Sequence, residues 1–282
     1  MQKNKTFTFN NSSSSENFIS LNQNSSIKSY CDVAFQLSIS LLTFENMTVS
    51  ERDKQIMNIT TSNYNLFTPS NFFESFKNKQ NNNELMKDKH EQTSNTLEKF
   101  SIIIATRKTL SETSKDNIMR ILNKNRREYE IISIRCEDKD LLKWAVNDRR
   151  IDYVTVNLQD KPSSIDKALC SLMKQNNKCF EIAFSPLLLP SDNKNFSNIV
   201  RNGKKIMKLV LSQNVPFIFT MEPKEPLHMR TGKQIRFIGG ILGVPFNKSR
   251  KATFDHQLTI LKNNTVKLQE NYVFEGVKEV SK

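Results

Sequence analysis

Residues 130–156 read EIISIRCEDKDLLKWAVNDRRIDYVTV, and this stretch decides the fold class. Ile131-Ile132-Ser133-Ile134 is an apolar run rich in branched residues, with the length of a buried strand. Leu141, Leu142, Ala145 and Val146 then recur at helical spacing, with Asp138 placed as an N-cap. Ile151–Val156 (IDYVTV) returns to strand texture. Strand, helix and strand in so short a span mark a βαβ unit of a parallel sheet.

The same texture continues on both sides. Ile102-Ile103-Ile104-Ala105 comes before it, and Phe180–Phe184 (FEIAF) and Val215–Phe219 (VPFIF) come after. Helical patterns separate these runs. Ile118, Ile121 and Leu122 share one face of the first. Another opens with Pro162 near its first turn and carries Ile165, Ala168, Leu169 and Leu172. A third joins Phe196, Ile199, Val200, Ile206, Met207 and Val210 in one stripe, with Arg201, Lys204, Lys205 and Lys208 opposite or flanking. The last starts at a capping box, Thr231 with Gln234, and runs through Ile235, Ile238 and Leu242.

Toward the N-terminus, Tyr30–Ile39 (YCDVAFQLSI) alternates Val33, Phe35, Leu37 and Ile39 and reads as a strand. Residues 1–29 are rich in Ser and Asn and poor in branched apolar residues, which predicts a disordered tail. Phe67, Phe72, Phe73 and Phe76 suggest a short packed helix, and the Asn-rich stretch 78–97 reads as a flexible insertion. Residues 30–282 thus form a single domain of six or seven strands. That count favours a small TIM-like α/β barrel of parallel strands with outer helices over a flat doubly wound sheet.

Charge divides the chain. Residues 1–100 hold ten basic and ten acidic side chains. The other 32 basic and 19 acidic groups lie in 101–282, so the whole excess of +13 sits on the regular part. A polyanion partner follows, because clustered Lys and Arg gain affinity by releasing counterions from phosphates; the alternative is a solvated basic surface. No stretch has the roughly 18 apolar residues of a membrane span, and the first residues lack the apolar segment of a secretory signal. A cytoplasmic or nuclear address is expected.

Several chemistries are missing from the sequence. All six glycines lie beyond residue 200, so there is no P-loop and no G-x-G-x-x-G turn. His90, His228 and His256 are isolated, with no H-x-H pair such as a multi-metal barrel phosphoesterase needs. Cys31, Cys136, Cys170 and Cys179 form no C-x-x-C pair and read as structural thiols. No catalytic residue, metal ligand set or cofactor is assigned. Glu181, inside an apolar strand, needs a buried cationic or hydrogen-bonding partner, for which Lys224 or Arg230 is available.

Four segments resemble one family, the archaeal ribonuclease P protein component 3 and its eukaryotic counterpart. Glu130–Val156 matches its pattern of a strand ending in Arg, a helix, then D-R-R-(I/V)-D and a strand. Phe180–Leu187 (FEIAFSPL) is similar to its "E-(I/L)-x-(F/Y)-S" strand. In Val215–Pro245 a VPFIF strand leads into a segment that resembles the family's Arg-containing turn and Gly-ended helix, and Tyr272–Val280 (YVFEGVKEV) resembles the end of archaeal members. The resemblance implies a barrel related to the polymerase-and-histidinol-phosphatase phosphoesterases but lacking their metals. It implies an RNA-binding subunit of the enzyme that removes the 5′ leader from precursor tRNA, with the chemistry carried by ribonuclease P RNA. The partners it implies are that RNA, precursor tRNA and a small companion protein resembling component 2.

On this reading Arg107, Lys108, Arg135, Arg149, Arg150, Lys224 and Arg230 contact phosphates on one side of the barrel, since Arg suits bidentate phosphate binding. For the Asp148–Asp152 turn the bland alternative is a salt-bridged helix cap. Two rival functions stay open: a metal-dependent barrel phosphoesterase, and a protein-binding scaffold whose basic face is incidental.

Overall fold

The computed structural model describes residues 14–19, 26–75, 99–111, 114–156, 158–159, 164–188, 190, 192–269, 272–274 and 277–278. The chain begins with β1 (Ser14–Ile19), α1 (Ile27–Gln36), β2 (Ile39–Glu45), α2 (Val49–Met57), β3 (Tyr64–Phe67) and helix α3 (69–75). The regular part follows as β4 (Phe100–Leu110), α4 (Lys115–Asn125), β5 (Ile131–Ile134), α5 (Lys139–Asn147) and β6 (Tyr153–Val156). It continues with α6 (Lys167–Gln175), β7 (Cys179–Ala183), the short α7 (Ser185–Leu188), α8 (Asn193–Gln213) and β8 (Phe217–Thr220). Last come α9 (Gly232–Ile241), α10 (Phe246–Arg250), a π turn (Lys251–Asp255), α11 (His256–Lys267) and the hairpin β9 (Tyr272–Phe274) and β10 (Val277–Lys278).

The first eight strands form one parallel sheet in the order β1-β2-β4-β5-β6-β7-β8, with β3 paired to the first half of β4. Helices supply the crossovers that parallel pairing requires. No ladder joins β8 to β1, but their Cα atoms approach within 8 Å, so the sheet curls toward closure. The fold is the expected small α/β barrel.

Side chains alternate across the strands and so build two apolar layers. Inside the barrel, Leu41, Ile103, Ile131, Tyr153, Cys179 and Ile218 pack together. Helix α11 closes the end where the strands begin. Its Leu258 and Leu261 join the inner cluster, Asn264 Nδ2 donates to Glu130 O at 2.9 Å, and His256 Nδ1 bonds Phe217 O at 2.7 Å. Outside, the helices cover Ile132, Ile134, Val154, Phe180, Ile182 and Phe219. Each buried aliphatic or aromatic side chain contributes on the order of 1.5–3 kcal/mol.

The caps read from sequence are formed. Asp138 accepts from Leu141 N at 2.7 Å, and Thr231 with Gln234 makes the reciprocal capping box. Two element assignments need correction. Tyr30–Ile39 is mostly helix: Ser26 and Ser29 cap α1 reciprocally, and Ile27, Tyr30, Cys31 and Ala34 are buried at helical spacing. The alternation of Val33, Phe35 and Leu37 misled because it ran alongside that stronger period. Ser38 then turns the chain through a left-handed φ of 58° into β2. Helix α6 starts at Lys167, where Asp166 accepts from Leu169 N at 2.8 Å, well after Pro162, which lies outside the described residues.

β1 arises within the stretch read as a tail and pairs in parallel with β2. The insertion expected over 78–97 lies outside the described residues. Among the described residues no helix is long and apolar enough to cross a membrane.

Candidate nucleic-acid interface

Toward the strand ends the barrel interior changes from apolar to ionic. On β4 the inward phase runs Ile103, Ala105, Arg107, and it delivers the guanidinium of Arg107 into the lumen, 0% exposed. Arg107 Nη1 and Nη2 donate to the two oxygens of Glu181 on β7 at 2.6 and 2.8 Å, a bidentate pair. Nη2 also reaches Ser133 Oγ at 2.7 Å, and Nε lies 3.0 Å from Glu45 Oε2, a contact of charges rather than an aligned hydrogen bond. Glu45 in turn accepts from Thr109 N at 2.7 Å and Thr109 Oγ1 at 2.9 Å. Thr155 Oγ1 donates to Glu181, and just above, Arg135 pairs with Glu222.

Burial by itself pushes the Glu181 carboxyl up. The charge and hydrogen bonds of Arg107, with the Thr155 hydroxyl, outweigh it and hold the group below the ordinary glutamate range. Burial would likewise lower Arg107, but the Glu181 and Glu45 carboxylates reverse the sign and raise it. Glu222 goes the other way: its burial outweighs Arg135 and pushes it up. The position where barrel enzymes gather reacting groups is here filled by cation and carboxylate side chains that satisfy one another.

These contacts correct two expectations. Glu181 takes Arg107 as its partner, not Lys224 or Arg230. Arg107 has no exposure and every part of its guanidinium is engaged, so it is withdrawn as a phosphate contact. The signal was present in the sequence: Arg107 lies in phase with Ile103 and Ala105. Its partners are 62 and 74 residues distant, and no local pattern announces them.

The other six cations fall at two opposite ends. Lys108, Arg135, Lys224 and Arg230 sit where strands finish. Lys108 Nζ donates to Asn46 Oδ1 at 2.7 Å, and Arg230 Nη1 donates to Leu227 O and Met229 O, each at 2.9 Å. Lys224 is exposed. Arg149 and Arg150 precede β6 and therefore lie at the end where strands begin, so the seven residues do not share one side. Arg149 is exposed, whereas Arg150 is fastened to Asp148 by Nε at 2.9 Å and Nη2 at 2.6 Å. The salt-bridged reading of this turn therefore holds for Arg150. Asp152 looks elsewhere, accepting from Ile132 N at 2.9 Å with Arg126 at 3.6 Å.

Among the described residues no group of three or more His, Cys, Asp or Glu side chains is placed to hold a metal ion. His256 is engaged by Phe217 O, and His90 lies outside the described residues.

A family model described as RNase P subunit p30 matches residues 30–269. The chain belongs to the RNase P subunit p30 family. Its fold is shared with a chain of archaeal ribonuclease P solved with mature tRNA: TM-score 0.64, 14% identity, covering 95% of this chain and 99% of that one. Other solved structures match more loosely. The histidinol phosphate phosphatase of Lactococcus lactis gives a TM-score of 0.41 at 8% identity, covering 82% of this chain and 92% of that one. The ochratoxinase of A. niger gives 0.49 at 12% identity, covering 88% and 71%. A search of curated proteins found no match. A p30 family chain is thus a protein subunit of a tRNA-processing enzyme, and the filled lumen described above is the interior of that subunit.

Proposed function

We propose that the chain supports RNA-catalysed removal of the 5′ leader from precursor tRNA by binding ribonuclease P RNA, and that it performs no hydrolysis itself. Membership of the p30 family carries this reading, and the Arg107–Glu181–Glu45 network supports it. Carboxylates that must neutralise a buried guanidinium are not free to collect metal ions or to move protons in a reaction. The +13 charge then serves to relieve repulsion between phosphates of a folded RNA.

In this proposal Lys108, Arg135, Lys224 and Arg230 face phosphates at one end of the barrel and Arg149 at the other, where Arg150 is held by Asp148 and shapes the turn. Arg135 would meet phosphate while keeping its Glu222 contact. The partners are ribonuclease P RNA, precursor tRNA and a small companion protein resembling component 2; the address is cytoplasmic, or nuclear in a eukaryotic source. The test is affinity purification of the full chain from native extract, followed by sequencing of the bound RNA. Recovery of ribonuclease P RNA, lost on washing with high salt, is the expected result. A purified chain that carries no RNA and turns over phosphate esters by itself would replace this reading with the phosphoesterase one.

A further inference from the structure

The turn from α9 to α10 carries an aromatic and cationic surface that nothing above uses. Phe237 on α9 is 62% exposed and Phe246 at the start of α10 is 56% exposed. Their ring centroids lie 6.3 Å apart with planes at 55°. Single exposed apolar residues are ordinary, but two touching rings that are each more than half bare form a patch. Ile241, one turn beyond Phe237, extends it. The Arg236 guanidinium lies 5.3 Å from the Phe246 centroid, over the ring. From Gly232 to Phe254 the chain has five basic residues and no Asp or Glu.

The glycines of α9 give an independent pointer. A Cβ on Gly239 would come within 2.6 Å of Phe219 Cε2, and Gly243 ends the helix with a φ of +81°. Each is forced. Gly240 is not: it is exposed, and a Cβ there would meet nothing within 4 Å. An unforced glycine weakens a helix, and close approach of a ligand is a standing reason to keep one. Gly240 shares the outward stripe of Phe237 and Ile241, so its missing side chain leaves the surface beside the ring low and flat.

We propose that this surface binds an unpaired stretch of RNA, with bases stacked on Phe237 and Phe246 and phosphates held by Lys233, Arg236 and Arg250. The inference rests on the RNA-binding reading above and deepens it by naming the form of RNA and the place. Charge decides between occupants. The core of a protein interface is depleted of charge, whereas here Arg236 lies over a ring and the segment 232–254 supplies five basic residues and no carboxylate of its own. Aromatic faces beside Arg and Lys are the general means of holding single strands, because every base has a face to stack.

The test measures anisotropy of the full chain with a labelled unstructured oligoribonucleotide and, separately, with an RNA duplex of equal length. Phe237→Ala combined with Phe246→Ala is expected to weaken single-strand binding roughly tenfold or more, leave duplex binding unchanged and leave the melting temperature unchanged. Phe237→Trp with Phe246→Trp should restore the loss. Equal single-strand affinity in the alanine pair and the native chain overturns the proposal. The same result with loss of a protein from the native complex overturns it in favour of a protein interface. A native chain that binds neither RNA in a salt-dependent way fails at the earlier step, the RNA-subunit reading itself.

Discussion

Arg107 and Glu181, 74 residues apart in sequence, face each other across the barrel lumen through two hydrogen bonds of 2.6 and 2.8 Å, and neither side chain has any solvent exposure. Glu45, Ser133 and Thr155 complete the shell, so the pair ties β2, β4, β5, β6 and β7 at one level. A buried pair is a weak source of net stability, yet removing one partner leaves the other charge stranded.

Arg107→Ala should therefore destabilise the fold by about 3–5 kcal/mol, read from the denaturant midpoint. Arg107→Met with Glu181→Leu should cost less than the single change, since only Glu45 then loses its cation and it keeps two hydrogen bonds from Thr109. If the single change moved stability by under about 1 kcal/mol, the network would not hold the strands as described.

Acid unfolding should report the same pair. The folded-state pKa of Glu181 is below its unfolded value, so at pH values between the two the unfolded chain binds more protons. Its stabilisation is thus complete above the ordinary glutamate value of 4.5 and is lost as pH falls through the lowered one. Glu181→Gln should flatten this acid limb when stability is followed against pH. An unchanged acid limb in that variant would place the ionised carboxylate elsewhere.

The Asp148–Asp152 turn separates two arginines by role. Arg149→Ala should reduce the slope of log affinity for ribonuclease P RNA against log salt by about one unit, with stability unchanged. Arg150→Ala should loosen the turn by about 1 kcal/mol, because Asp148 loses its main partner. Urea unfolding and RNA titrations at several salt concentrations on both variants decide the matter. A salt slope unmoved by Arg149→Ala would remove this turn from the RNA contacts.

The regular half of the fold was legible because local signals agreed there. In α5, Asp138 at the cap and Leu141, Leu142, Ala145 and Val146 on one face point the same way, and both are realised. In α1 two periods competed, and the Ser26–Ser29 cap lies before the stretch whose alternation suggested a strand. The lumen was legible only in part. The needs of Glu181 could be read from its apolar neighbours, but its partner is set by which residues share a level of the barrel, a property of strand stagger. For the same reason the candidate cations split between two ends: only the direction of each strand says whether a preceding or a following loop shares its face.

The central claim is that this barrel is a counter-charged support for RNA and has no hydrolytic centre of its own. Cleavage of the 5′ leader of a precursor tRNA by the purified chain, measured with and without ribonuclease P RNA, tests it most directly. The account predicts no leader release by the protein alone, in the presence of any divalent metal. It predicts that adding the chain extends RNA-dependent cleavage to lower salt or magnesium. Leader release by the polypeptide in the absence of RNA would contradict it.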